Sequence, residues 1–113
     1  MRDEPGATEL GRFAEPAMLV LVSLSDGPKH GYAIMTDVEA FTGSSLGPGT
    51  LYAVLARLEG RGLIEPLESD DRRRPYRLTA TGAAAVADQL AEMGRFLRIG
   101  RARLRGVASG TDR

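Results

Sequence analysis

The chain has no cysteine, no tryptophan, a single histidine and only 5% aromatic residues. Without cysteine there are no disulfides and no thiolate metal sites, and a reducing cytoplasm is the expected compartment. His30 lacks a second histidine or a cysteine as partner ligand, so no metal site is expected there or at Asp70-Asp71. No apolar run approaches the roughly 18–20 residues that cross a bilayer. No basic, apolar, small-residue leader opens the chain, so neither a membrane nor export is expected. Ser/His/Asp sets, paired carboxylates and glycine-rich phosphate loops are missing too, which argues against an enzyme and against a cofactor. Net charge is also zero, which at first sight disfavours a polyanionic partner.

The charge is unevenly placed, however. Residues 1–47 carry −4, residues 48–79 carry +1 and residues 80–113 carry +3. Positive charge is thus concentrated in the second half, and binding to a polyanion through it should depend steeply on salt. At 113 residues with 42% apolar content, the chain suffices for one domain with a small core.

The most informative stretch runs from Leu46 to Leu63. Pro48 suits the first turn of a helix, and Gly62 suits a left-handed C-terminal cap, with Arg61 beside it at the negative end of the dipole. Leu51, Leu55 and Leu58, flanked by Val54, make one apolar stripe. At about 100° per residue the opposite face carries Gly49, Ala53, Ala56 and Gly60, with Thr50 and Arg57 beside them. Such a face can approach another surface closely, and the DNA major groove admits a helix of this kind. The expectation is a recognition helix.

Taken in order, residues 1–12 read as a polar, flexible N-terminus. Pro16 opens a helix to about Ser25, apolar nearly all round, so that it needs covering on two sides. Either its own domain covers both, or a second subunit takes one. Asp26 to Gly31 form a turn, and a second helix spans Tyr32 to about Thr42, with Tyr32, Ile34, Met35, Val38 and Phe41 as apolar contacts. A short connector then enters the recognition helix, completing a helix-turn-helix pattern. After Gly62 the pattern becomes extended. Residues 63–68 and 75–78 read as a hairpin, with Pro66 marking an edge strand and Arg72, Arg73 and Arg74 at the tip. These arginines are either a solvated turn or placed for phosphates and the minor groove. Thr79 should cap a last helix to about Val107, where Ala83, Val86, Leu90, Met93, Leu97, Gly100, Leu104 and Val107 step by three and four as in a coiled-coil seam. That helix either folds onto its own domain or pairs with a second copy, and its length favours the pair. The organisation expected is therefore a mainly α fold with a small β-hairpin. A winged helix-turn-helix domain at 13–79 is followed by a dimerisation helix at 80–107 and a polar tail at 108–113.

Several of these segments together resemble the PadR family of bacterial transcriptional regulators, in its short form with a single C-terminal helix. The resemblance is carried by Asp26-Gly27-Pro28-Lys29-His30-Gly31-Tyr32, Pro48-Gly49-Thr50-Leu51-Tyr52, Leu55-Ala56-Arg57-Leu58-Glu59, Gly62-Leu63-Ile64, and Tyr76-Arg77-Leu78-Thr79 with Gly82. One departure lies in the wing, where three arginines precede Pro75 and only one tyrosine follows, in place of the family's common Gly-Arg-Pro followed by basic residues and tyrosines. The resemblance implies a homodimeric repressor on a roughly palindromic operator, with release by a small-molecule effector.

On this reading the DNA contacts fall to Pro48, Gly49, Thr50, Tyr52, Ala53 and Arg57 of the recognition helix, to Lys29 and Tyr32 before it, and to Arg72, Arg73 and Arg74. Tyr52 either contacts DNA or packs its ring; Arg57 either reaches a phosphate or guanine, or pairs with Glu59 or Asp37. Leu19, Leu21, Val86, Leu90, Met93, Leu97 and Leu104 are the candidate dimer interface. Phe13, Met18, Met93, Phe96 and Leu97 are candidates either for an apolar or aromatic effector's pocket or for plain dimer core. An alternative from another class is a winged-helix module whose bare helix face meets a protein.

Overall fold

The computed structural model of the protein describes residues 15–70 and 72–109. Helix α1 (Pro16–Ser23) starts at its proline and runs into a single 3-10 turn, Leu24–Asp26. Being apolar all round, it packs on several sides at once. Val20, Leu21 and Leu24 are buried, and Ala17, Met18, Leu19 and Val22 are half-buried against the same core.

Helix α2 (Gly31–Thr42) is capped by His30, whose Nδ1 accepts from the Ala33 N–H at 3.3 Å. It ends at Gly43, left-handed at φ 79°, whose N–H donates to the Glu39 carbonyl at 2.8 Å. Ile34 and Val38, one turn apart, point into the core. Tyr32 and Phe41, expected as apolar contacts, are instead exposed. Tyr32 precedes Ile34 by two positions, which at about 100° per residue puts it on the far side of the helix; Phe41 lies in the last turn.

Helix α3 (Pro48–Gly60) follows, with Leu51, Val54, Leu55 and Leu58 all buried. Gly62 adopts φ 76°, and the chain reverses through Gly62 N–H to the Glu59 carbonyl and Leu63 N–H to the Leu58 carbonyl, both 3.0 Å. That turn feeds a short antiparallel hairpin of β1 (Ile64–Pro66) and β2 (Tyr76–Leu78), in register Ile64 to Leu78. A cross-strand pair, Arg77 Nε to Glu65 Oε2 at 2.7 Å, fastens its outer face. The hairpin also pairs with the turn before α2, since Lys29 and Tyr76 exchange both backbone hydrogen bonds, at 3.1 and 2.9 Å.

Helix α4 (Ala80–Ser109) is 30 residues long, about 45 Å at 1.5 Å per residue. Thr79 caps it, its Oγ1 accepting from the Gly82 N–H at 3.0 Å and donating to the Gly62 carbonyl at 2.6 Å. Its N–H donates to the Leu63 carbonyl at 3.1 Å. Gly82 lies so close to Leu63 that a Cβ would stand 2.0 Å from that carbonyl oxygen. The helix therefore joins the domain at its first turns and then projects, and the molecule measures 62 × 35 × 20 Å.

The core joins α1, α2, α3, β1 and the start of α4, and includes Leu46, Ile64 and Val86. Two of the candidate interface residues need correction. Leu21 and Val86 are 6% and 5% exposed in a single chain, so they fill this core and have almost no surface left for a second copy.

Candidate nucleic-acid interface

With its leucine stripe buried, α3 turns Gly49, Thr50, Ala53, Ala56, Arg57 and Gly60 outward, and all six are exposed, as is Pro48. At Gly49 and Gly60 a side chain would meet nothing within 4 Å, so the backbone itself forms part of this surface. Arg57 makes no ion pair among the described residues: Glu59 does not engage it, and Asp37 is held elsewhere.

Tyr52 packs its ring and is still partly exposed. Its ring lies across the first residue of α2, where a Cβ on Gly31 would stand 2.7 Å from the Tyr52 hydroxyl, yet 54% of the residue remains exposed. Only glycine leaves room for that approach. Around it opens a recess of about 280 Å³. Tyr52 forms one wall, His30, Gly31 and Tyr32 the second, and Tyr76 with Arg72, Arg73 and Arg74 of the wing the third. No carboxylate lines it among the described residues. Five residues picked out separately in the sequence thus share one concavity. His30, Gly31 and Tyr76 were not among them. The first two sit in a stretch that reads simply as a turn, and Tyr76 in one that reads as a strand.

Lys29 is the other correction. Its ammonium is held by the Ser23 carbonyl and by Asp26 Oδ1, with Asp37 Oδ2 at 3.9 Å, and the side chain is largely covered. Ser23, buried, donates to the same Asp37 oxygen at 2.8 Å. The turn folds Lys29 back over the end of α1, so it fastens α1 to α2 and has no free charge for a phosphate. Hydrogen bonding and charge attraction from Lys29 hold the Asp26 carboxyl below its ordinary 3.8.

The candidate interface along α4 is largely exposed: Leu90, Met93, Leu97 and Leu104, together with Phe96, Ile99 and Val107. Leu19 is half-buried against the core. Of the effector candidates, Met18, Met93 and Phe96 meet in a groove of about 710 Å³ between α1, the end of α3 and α4. Met93 and Phe96 also line a second hollow along α4, together with Leu97, Gly100 and Leu104. Phe13 lies outside the described residues. Among the described residues no group of three or more His, Cys, Asp or Glu is placed to hold a metal ion. None of the described helices is long and apolar enough to cross a membrane.

Residues 20–88 match the model of the transcriptional regulator PadR-like family. An uncharacterized 37.1 kDa protein in a transposon of Streptomyces fradiae is 46% identical over 85 residues, which are 75% of this chain and 25% of that protein. The chain thus spans about a quarter of the length of that curated relative. Among solved structures, a PadR family transcriptional regulator from Eggerthella lenta is 31% identical with a TM-score of 0.68, covering 85% of both chains. A transcriptional regulator from Clostridium thermocellum is 26% identical at 0.67, over 77% of this chain and 87% of that one. RosR of H. salinarum is 28% identical at 0.64, over 83% and 93%.

Proposed function

Because the chain belongs to the PadR-like family of transcriptional regulators, we propose that it is a homodimeric repressor, bound to a roughly palindromic operator and released by a small apolar or aromatic effector. The observation that carries the DNA-binding part is the outward face of α3, a strip of glycine and alanine with Thr50 and Arg57 on one flank and Tyr52 and Glu59 on the other, beside the arginines of the wing. Glycine and alanine let α3 sit deep in the major groove. Thr50 and the free amides of the first turn face a phosphate, since a helix N-terminus favours an anion. Arg57 reaches a phosphate or the O6 and N7 of guanine, and Ala53 meets a thymine methyl. Arg72, Arg73 and Arg74 grip the backbone or enter the minor groove. With one side chain capable of a bidentate base contact, DNA shape supplies part of the specificity.

The dimer reading rests on α4. Seven large apolar side chains from Leu90 to Val107 are each at least 44% exposed in the single chain, and a second copy is the simplest cover for them. Paired through α4, two α3 helices would address half-sites about 34–36 Å apart. The groove that Met18 shares with Met93 and Phe96 of that seam reaches the end of the recognition helix, where an apolar ligand would alter their relation.

Gel shifts on the DNA upstream of the chain's own reading frame, over a salt series, test this reading. Each phosphate contact contributes about 0.9 to the slope of log K against log salt. Replacing Arg72, Arg73 and Arg74 with alanine should flatten that slope by up to about three contacts. No binding to any duplex at low salt refutes the DNA reading, and an unchanged slope removes the wing from it.

A further inference from the structure

The recess under the wing has a composition that backbone contacts alone do not require. The chain has three tyrosines, and all three, Tyr32, Tyr52 and Tyr76, line it, facing three consecutive arginines. Guanidinium groups bind phosphate oxygens through paired hydrogen bonds, while phenol rings offer faces on which another ring stacks. At about 280 Å³ the space is near the lower end of small-molecule sites, which begin at roughly 300 Å³. That is more than a lone phosphate fills, and suits one with a ring attached. The bare Cα of Gly31 is what brings Tyr52 to the edge of this space.

We propose that the recess binds free aromatic phosphates, one ring system carrying a phosphate, with the wing arginines holding the phosphate and the tyrosines the ring. Occupation there excludes a DNA backbone from the same wing, so the ligand competes with the operator. The competition rests on the proposed DNA-binding reading; the site itself does not.

The test uses the full chain. Its tyrosines all line the recess, but phenol emits where tyrosine does, so binding is read as heat by titration calorimetry. Phenyl phosphate is the probe, with inorganic phosphate and phenol as its separate halves. Phenyl phosphate should give a saturable heat of binding and bind at least tenfold more tightly than either half. Arg72→Ala with Arg74→Ala should weaken it at least tenfold. Thr50→Ala with Arg57→Ala, on α3 outside the recess, should leave it unchanged while weakening operator binding. The apparent operator Kd should rise in proportion to one plus the ratio of free probe to its own Kd. Equal binding of inorganic phosphate overturns the proposal, as does indifference to the arginine pair or operator binding that saturating probe leaves unmoved. If phenyl phosphate binds as expected but no duplex does, the site stands and the DNA reading falls.

Discussion

Gly82→Ala is the sharpest test of how α4 is joined to the domain. In an open helix, alanine in place of glycine stabilises by about 1 kcal/mol. Here the new methyl group would lie 2.0 Å from the Leu63 carbonyl oxygen and 2.9 Å from its carbon. Both are backbone atoms and cannot swing aside, so α4 must retreat by more than 1 Å to reach van der Waals distance. That retreat stretches the Thr79 N–H bond to Leu63 and the Thr79 hydroxyl bond to Gly62, now 3.1 and 2.6 Å. Each is worth about 0.5–1.5 kcal/mol. It also loosens Val86, which is buried one turn further on. Set against the helix gain, the net loss is about 1–3 kcal/mol, the usual range for overpacking. For a domain of this size about 2 kcal/mol lowers Tm by roughly 10 °C. Thermal unfolding followed by circular dichroism at constant protein concentration measures it, with Gly106→Ala as the control. Gly106 is in the same helix with nothing within 4 Å of a new Cβ, and alanine there should be neutral or stabilising. A Gly82→Ala protein as stable as the wild type would refute the close joint.

Gly31→Ala meets only the tip of the Tyr52 side chain, which can rotate away, so stability should fall by less than about 1 kcal/mol while operator affinity drops several-fold as the recess loses its wall; equal affinity would make the packing irrelevant to binding. Lys29→Met removes the cation between Ser23, Asp26 and Asp37 and should cost about 1–3 kcal/mol, because it takes the ammonium donor from the Ser23 carbonyl and the counter-charge from Asp37; a loss of operator affinity with full stability would restore Lys29 as a DNA contact. The Asp26 carboxyl is held down by Lys29, so the stabilisation from that pair is present above the ordinary carboxylate range and fades as pH falls through the lowered value. The gap in stability between wild type and Asp26→Asn should therefore narrow below about pH 4, and a gap that widens there reverses the sign. Leu97→Asp with Leu104→Asp should leave the helical signal intact and halve the mass seen by light scattering at micromolar concentration; an unchanged mass would move the interface away from α4.

The elements were legible because their ends are marked locally. Pro16 and Pro48 open helices, Gly43 and Gly62 close them in left-handed turns, and Thr79 caps the last one. The inward face of α3 was legible from its period, which is why its outward face was too. Helix α1 has no such period, and nothing in an all-apolar stretch tells which residue faces its own core; Leu21 was misplaced for that reason. Lys29 was misplaced because its partners are set by folding: Ser23 and Asp37 lie on different helices that meet only in three dimensions. The recess under the wing was illegible as a unit for the same reason. Its walls come from three separated segments, and the pairing of Lys29 with Tyr76 that fixes one against another is a backbone contact with no side-chain signature.

The joint at Gly82 also decides what a ligand near α4 can do. Thr79 and Gly82 fix the start of α4 to Gly62 and Leu63, and those two residues are the cap of α3. Helices α3 and α4 therefore cannot reorient independently without breaking that cap, and together they form one arm. On the proposed dimer, the distance between the two α3 helices is then set by the angle at which the two α4 helices cross. From Leu104 to Gly82 the arm is about 33 Å at 1.5 Å per residue, so a tilt of about 5° at the seam moves the DNA-proximal end by about 3 Å. Set against half-sites about 34–36 Å apart, a displacement of that size on each protomer is enough to take one α3 out of its groove. Met93 and Phe96 line the groove at the end of the seam nearer the joint, where a wedge acts on the tilt rather than on the fold of either half. Such a ligand needs no contact with the DNA-facing surface, whereas one bound under the wing must act by occupying it. The two routes are separable by measurement: the first changes operator affinity with the half-site spacing, and the second changes it equally at every spacing.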